Sequence, residues 1–366
     1  MPVCLDKAQL LHYFAPKYGS ILAKINPNIS RQTINQIVDI QSLLKRVLEG
    51  DRFSLSQAIT LIESSLAEDQ RMAEEMVEHL RSLPGESFRI AVSGSPGAGK
   101  STFIEAIGFH TISLGYKPAV LAIDPSSQST GGSILGDKMR MEKLSLSKEA
   151  FIRPSPAGDF TGGTAKKTRE SILLLEKAGF NPIFIETVGV GQTETAVHNM
   201  TDLFLLLVAP ASGDDIQGIK KGIMEMADII VINKMDGDMS AQANISLQHY
   251  ANAIQMMHRQ EKGEAPKIFG VSSVIPSGME QLWEQIDDFF IKAVASGTFK
   301  NRRHLQELDW FEAEVRQNLF SFIMSYPDIY KTFLICKESV LKNERSAMNA
   351  AHIFFKKLGK NLLNEA

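Results

Sequence analysis

The run Gly94-Ser95-Pro96-Gly97-Ala98-Gly99-Lys100-Ser101 has the spacing G-x-x-x-x-G-K-[ST], which can cradle a chain of phosphates. Its glycines let backbone N–H groups crowd around phosphate oxygens with no Cβ in the way. A helix starting there adds the partial positive charge of its N-terminus, Lys100 is in reach of the β- and γ-phosphates, and the Ser101 hydroxyl can hold Mg²⁺. Thr102 follows as the first residue of a helical pattern. The eight-residue pattern alone turns up by chance in unrelated chains. Here an apolar run over residues 88–92 precedes it and a helix-like stretch follows, which is the context the chemistry needs.

A second motif selects the base. Ile229–Ile232 is an apolar, β-branched run typical of a buried parallel strand, and Asn233-Lys234-Met235-Asp236 follows at once. A carboxylate at Asp236 can accept from both the N1–H and the exocyclic amine of guanine. Adenine has an acceptor at N1 and no amine at C2, so it would leave that charge badly paired. Lys234 is expected to lie along the base, and Asn233 to tie this loop to the phosphate loop. A surface turn that happens to spell the same four residues is the competing reading, and the phosphate loop upstream counts against it. Ser272 and Ser273, directly after a strand candidate over residues 267–271, join the expected nucleotide-binding set. The two motifs together predict a site for GTP and GDP.

Hydrolysis needs a carboxylate for Mg²⁺, a group that senses the γ-phosphate and a means of orienting water. Asp124 ends the apolar run over residues 119–123, and Asp137 closes the Gly-rich stretch Thr130-Gly131-Gly132-Ser133-Ile134-Leu135-Gly136-Asp137. An Asp on such a loop can reach Mg²⁺ directly or through water, or simply cap a turn; Asp124, at a strand end, favours the first role more clearly. Glu186-Thr187-Val188-Gly189-Val190-Gly191-Gln192 has the form of an acidic strand end followed by a glycine, Gly189, whose N–H can contact the γ-phosphate. Small signalling GTPases place Gln directly after that glycine. Val190 stands there instead, with Gln192 two residues on, so slow intrinsic hydrolysis is expected. Asp214-Asp215-Ile216-Gln217-Gly218-Ile219-Lys220-Lys221 reads first as a helix start with acidic residues leading, and second as a loop presenting Lys220 or Lys221 to a nucleotide or partner.

The elements that would position these residues alternate. Strand candidates at 89–92, 119–123, 151–153, 183–186, 203–207, 229–232 and 267–271 are separated by helical patterns at 101–114, 165–178, 216–226, 240–259 and 278–295. Such alternation specifies an α/β fold with a mostly parallel sheet, ligands sitting at the carboxyl ends of its strands. Three regions follow: an N-terminal helical region over 1–85, the α/β domain over 86–297 and a C-terminal helical region over 298–366. In the first, residues 54–83 carry Leu55, Ile59, Ile62, Leu66, Met72, Met76 and Leu80 at helical spacing, read as one amphipathic stretch. In the last, residues 302–324 place Leu305, Leu308, Phe311, Val315, Leu319 and Phe322 at three- and four-residue steps before Pro327. That stripe can pack on its own domain or on a second subunit.

The 366 residues suggest two or three units, and 44% hydrophobic with 22% charged residues is an ordinary globular balance. A formal net charge of −3 argues against nucleic acid or an anionic membrane as partner. No apolar run is long enough to span a bilayer, and residues 1–20 have neither an apolar signal core nor a basic transit pattern. The 2 cysteines, Cys4 and Cys336, fit a reducing, cytoplasmic setting and exclude a disulfide framework.

With these strings in place the chain resembles the methylmalonyl-CoA-mutase-associated GTPase family of the MeaB/ArgK type, whose human counterpart serves the cobalamin-A pathway. The resemblance covers about residues 45–325. It rests on Ala58-Ile59-Thr60-Leu61-Ile62-Glu63-Ser64, the phosphate loop, Ala122-Ile123-Asp124-Pro125-Ser126-Ser127, the stretches 130–137 and 186–192, Gln217-Gly218-Ile219-Lys220-Lys221-Gly222, Asn233-Lys234-Met235-Asp236 and Asn301-Arg302-Arg303. It implies a P-loop GTPase core of the signal-recognition/MinD/BioD class flanked by N- and C-terminal helices, and a homodimer through the C-terminal ones. It also implies a chaperone whose GTP cycle gates cofactor loading of an adenosylcobalamin-dependent acyl-CoA mutase and protects that enzyme. By the same match Asp124, Asp137 and Glu186 are the Mg²⁺ and water-network candidates, and Lys220 belongs to a switch. Residues 1–44 match no pattern of the family, and Gly158-Asp159-Phe160-Thr161-Gly162-Gly163 departs from its usual run.

A different class of reading is an ATP-dependent kinase or ATPase linked to arginine/ornithine transport. The guanine-selective loop counts against it, and no phospho-acceptor constellation supports it. A nickel metallochaperone of the same fold class would be expected to carry His-rich tracts or paired cysteines, and the sequence has neither.

Overall fold

The computed structural model describes residues 39–124, 141–156, 163–187, 193–210, 221–258 and 265–364. Seven strands form one sheet in the order β3-β2-β4-β1-β5-β6-β7. They are β1 (Arg89–Ser93), β2 (Ala119–Asp124), β3 (Phe151–Pro156), β4 (Ile183–Glu186), β5 (Leu203–Val208), β6 (Ile229–Ile232) and β7 (Lys267–Gly270). Every pairing is parallel, so each strand end that carries a motif lies on the same edge. All seven expected strands are present, within one or two residues of their expected ends in six cases; β3 runs three residues further, to Pro156.

The sheet is apolar on both faces because helices cover both. Alternation along each strand divides the core. Ala91, Ile185, Phe204 and Leu206 turn to one face, and Ile90, Val92, Phe184 and Leu205 to the other. The second face is covered by α4 (Lys100–Ser113) and α10 (Met279–Ala295), through Phe103, Ile107, Trp283 and Phe290. On the first face lie α6 (Gly163–Lys177) and α9 (Ser240–His258), and the N-terminal helices join the same core. These are α1 (Ile40–Leu48), α2 (Arg52–Glu63) and α3 (Ala67–Arg81). Leu43, Leu55, Ile59, Met76 and Leu80 are all buried there. The short helices α5 (Glu142–Leu146), α7 (Thr193–His198) and α8 (Lys221–Met226) complete the α/β part. Among the described residues no helix is long and apolar enough to cross a membrane.

The single amphipathic stretch expected over 54–83 is two helices. Ser64 leaves the helical region at φ −63°, ψ 151°, its hydroxyl accepting from the Leu66 N–H at 3.2 Å and donating to Asp69 at 2.5 Å. That local hydroxyl bonding competes with the helix ladder, and Leu66, counted on the apolar face, is exposed instead.

After Gly297, at φ 75°, the chain enters α11 (Thr298–Met324), then α12 (Pro327–Leu341), with Pro327 in the first helical turn, and α13 (Ala347–Asn364). The start of α11 is fastened to the N-terminal edge of the sheet by charge. Arg303 pairs with Asp202 at 2.7 Å and Glu176 at 3.1 Å, and Arg89 meets the other Glu176 oxygen at 2.6 Å. Burial works against the Glu176 carboxylate, yet the two guanidinium groups hold its pKa below the ordinary value. Further along, Trp310 packs under the guanidinium groups of Arg81 and Arg169, at 5.6 and 5.5 Å from its ring centroid.

Glu170 of α6 is buried close to that joint. Burial pushes its carboxyl up to about 7, with Glu74 and Glu314 adding to the rise and Lys166 and Lys167 opposing it. The folded chain therefore keeps a proton that the unfolded chain releases above its value of 4.5. Stability falls as pH rises between those two values. Urea midpoints taken through that window are expected to decline with pH in the natural protein and to flatten in Glu170→Gln.

Candidate nucleotide site

The phosphate loop is shaped by its glycines. Gly97 and Gly99 sit at φ 82° and 87°, in the left-handed region. A Cβ on Gly94 would lie 2.1 Å from the Leu207 carbonyl oxygen, so only glycine lets the loop leave β1 so close to β5. The helix then begins at Lys100, whose Nζ donates to the carbonyls of Gly94 at 2.7 Å and Ser95 at 3.2 Å. The lysine is thereby folded back over the loop that would receive the phosphates. Ser101 Oγ donates to Glu186 Oε1 at 2.9 Å, joining the first turn of α4 to the end of β4. Val92 and Ala122 flank Glu186 in register, so this carboxylate sits on the strand between β1 and β2.

The loop expected to read the base is locked onto the phosphate loop. Asn233, buried at the end of β6, donates from Nδ2 to the Ala98 carbonyl at 3.0 Å, and its Oδ1 accepts from Ser273 Oγ at 2.7 Å. Lys234 holds φ 61°, a left-handed conformation uncommon outside glycine, and its Nζ donates to the Gly97 carbonyl at 2.9 Å. Ser272 Oγ donates to Asp236 Oδ1 at 2.5 Å, which fixes the carboxylate and leaves its remaining acceptor sites for a ligand. Met235 N–H bonds the Val271 carbonyl at 3.0 Å, so the loop is registered on the end of the β7 segment as well. Beside this loop a cavity of ≈ 670 Å³ runs between α4 and the turn after Ser273, with Thr102, Phe109, Ser273 and Gly278 on its walls.

Residues 55–328 match the family described as Methylmalonyl Co-A mutase-associated GTPase MeaB. The chain belongs to this family. Relatives agree: GTPase ArgK of Escherichia coli is 39% identical over 312 residues, covering 84% of this chain and 94% of the relative. A mouse protein named Methylmalonic aciduria type A homolog, mitochondrial, is 38% identical over 327 residues, covering 87% of this chain and 79% of the relative. A solved structure described as a LAO/AO transport system kinase superposes with TM-score 0.70 at 32% identity, covering 87% of this chain and 97% of that one. The MeaB-family chain is thus a GTPase with an α/β fold of the P-loop class.

Gly94, Ser95, Pro96, Gly97, Ala98, Gly99, Lys100, Ser101, Thr102, Asn233, Lys234, Asp236, Ser272 and Ser273 converge on the C-terminal edge of β1, β6 and β7. Asp124 ends β2 on the same edge, while Asp137, Gly189 and Lys220 lie outside the described residues. The sequence reading gave no role to Ser93 and Thr187, which the fold pairs at the root of the phosphate loop: Thr187 Oγ1 donates to Ser93 Oγ at 3.0 Å, both residues buried. Their signal was a hydroxyl residue closing each of two adjacent apolar strands.

Removing the Asn233 side chain unties both loops at once and leaves the buried Ser273 hydroxyl without its acceptor. Asn233→Ala is expected to cost the nucleotide-free protein about 2 kcal/mol by denaturant unfolding.

Proposed function

We propose that this GTPase serves an adenosylcobalamin-dependent acyl-CoA mutase of the methylmalonyl-CoA mutase type, its GTP cycle gating cofactor loading and protecting the mutase. The observation that carries the reading is the match over 55–328 to a family described as mutase-associated. The mouse relative, named for methylmalonic aciduria, supports it. The transport-kinase alternative has the description of a solved relative behind it, but Asp236 with its Ser272 partner favours guanine over adenine.

In the working site Lys100 Nζ exchanges the Gly94 and Ser95 carbonyls for phosphate oxygens, and the loop N–H groups bind the same chain. The Ser101 hydroxyl and Glu186 carboxylate, already 2.9 Å apart, offer the hard oxygen donors that suit Mg²⁺, and Asp124 and Asp137 are the further candidates. When bound, that ion offsets charge on the transferring phosphoryl group. Asp236 reads the guanine, Lys234 lies along it, and Gly189 and Lys220 are assigned to γ-phosphate sensing and switching on the family resemblance. With Val190 in the place where a water-orienting glutamine stands in small GTPases, unassisted turnover is slow.

The chain works as a homodimer in this reading, with residues 1–85 a helical region, 86–297 the GTPase domain and 298–366 the dimerisation region. What supports pairing is the apolar stripe of α11: Leu305, Leu308, Phe311, Val315 and Leu319 are all exposed. Light scattering is expected to give twice the chain mass for the natural protein and the single mass for Leu308→Glu/Phe311→Glu; a natural monomer would remove the dimer from the proposal. For the partner, GTP turnover is to be measured with and without a purified methylmalonyl-CoA mutase. Accelerated phosphate release, abolished by Lys100→Ala, is expected; no binding and no acceleration would count against the mutase.

A further inference from the structure

Glu194 is a buried carboxylate that the nucleotide chemistry above does not use. It is 0% exposed, its Oε2 meets the Thr193 hydroxyl at 3.4 Å, and its Oε1 has no hydrogen-bond partner among the described residues. Such a group is rare in a folded protein, because desolvating an acceptor without a donor is costly. Its place in the fold is specific. The helix that bears it, α7, packs on β1, and Val197, three residues on and hence on the same helix face, shares a core with Ala91 of that strand. The chain descends through α7 from the C-terminal end of β4 to the start of β5. Glu194 therefore lies one turn nearer the nucleotide edge than Val197, towards Ser93, which shares a strand face with Ala91.

Ser93 is the complement. Its Oγ accepts from Thr187 at 3.0 Å, and no acceptor for its own hydroxyl proton is found among the described residues. An acceptor lacking a donor and a donor lacking an acceptor thus lie on packed elements. Ser93 is followed by Gly94 of the phosphate loop, and Thr187 follows Glu186, the carboxylate that holds Ser101.

The geometry points to Glu194 as a positioning residue for GTP hydrolysis. In the GTP-bound protein Glu194 Oε1 accepts a hydrogen bond from the Ser93 hydroxyl. The chain from Thr187 through Ser93 to Glu194 then fixes the end of β4, with Glu186 on it, against the root of the phosphate loop. This rests on the GTPase reading, which the turnover of the natural protein tests separately.

The test compares Glu194→Met, Glu194→Gln, Ser93→Ala and the Glu194→Met/Ser93→Ala pair for turnover at saturating GTP, GDP affinity and thermal unfolding. Glu194→Met and Ser93→Ala are each expected to lose roughly tenfold to hundredfold in turnover through mispositioning, with GDP affinity within about twofold of the natural protein. The double variant is expected to be no slower than the slower single one. Glu194→Gln keeps an acceptor and is expected to recover much of the loss. Nucleotide-free Glu194→Met is expected to unfold no earlier than the natural protein, since a buried acceptor without a donor has been replaced by an apolar group of similar size. Turnover within about twofold of the natural protein in Glu194→Met, no rescue by Gln, or losses that multiply in the double variant would each overturn the proposal. So would parallel falls in turnover, GDP affinity and stability, which a purely structural carboxylate gives. If Glu194→Met does not fold, Ser93→Ala decides alone: unchanged turnover overturns the proposal and reduced turnover at unchanged GDP affinity supports it.

Discussion

A phosphate loop built on left-handed glycines has almost no side chain with which to hold its own shape, so its geometry has to be imposed from outside. In this protein the Asn233 amide imposes much of it. One buried side chain donates to the Ala98 carbonyl inside the phosphate loop and accepts from Ser273 on the turn after β7. Lys234 makes the second tie, at the Gly97 carbonyl, from a backbone conformation that costs free energy outside glycine. Three loops that arrive from three different strand ends are thereby fixed relative to one another before any nucleotide enters. On the proposed reading, guanine selection and phosphate binding depend on that shared frame, because Asp236 can read a base only if it sits at a set distance from the loop that would hold the phosphates.

The frame itself depends on the sheet. All seven strands run parallel, so every loop that matters leaves from one edge, and the opposite edge is free to take structural load. That load is ionic. Arg303 and Arg302 at the start of α11 reach Glu176, Asp202 and Asp228, which in turn receive backbone N–H groups at the starts of β1 and β5. A buried network of this kind contributes little net stability relative to apolar packing but is severely disrupted when one member is lost. It fixes where the C-terminal helices spring from the GTPase core, and thus where the exposed stripe of α11 is presented.

Much of this was legible in the sequence because the signals were local. Strand runs such as Ile229–Ile232, the glycine spacing of residues 94–101 and the loop 233–236 each announce themselves within a few residues. The break between α2 and α3 was not legible, since the apolar periodicity continues across it. Only the Ser64 hydroxyl, bonding Leu66 and Asp69, reveals why the helix stops. Long-range pairings were equally hidden. Nothing near Asn233 names Ala98 as its partner, and nothing near Ser93 names Thr187; those pairs exist because strand order β4-β1-β5-β6 brings their ends together. The continuity of the N-terminal helices with the core of the sheet was hidden for the same reason, as an amphipathic face does not say what covers it.

The central claim is that the Asn233–Asp236 loop reads guanine. The most direct measurement is calorimetric titration of the purified, nucleotide-free protein with GDP and with ADP in Mg²⁺ buffer. Saturable heat with GDP and none with ADP is the predicted result. Equal binding of the two, or binding of ADP alone, would contradict it, because Asp236 would then not be selecting the base.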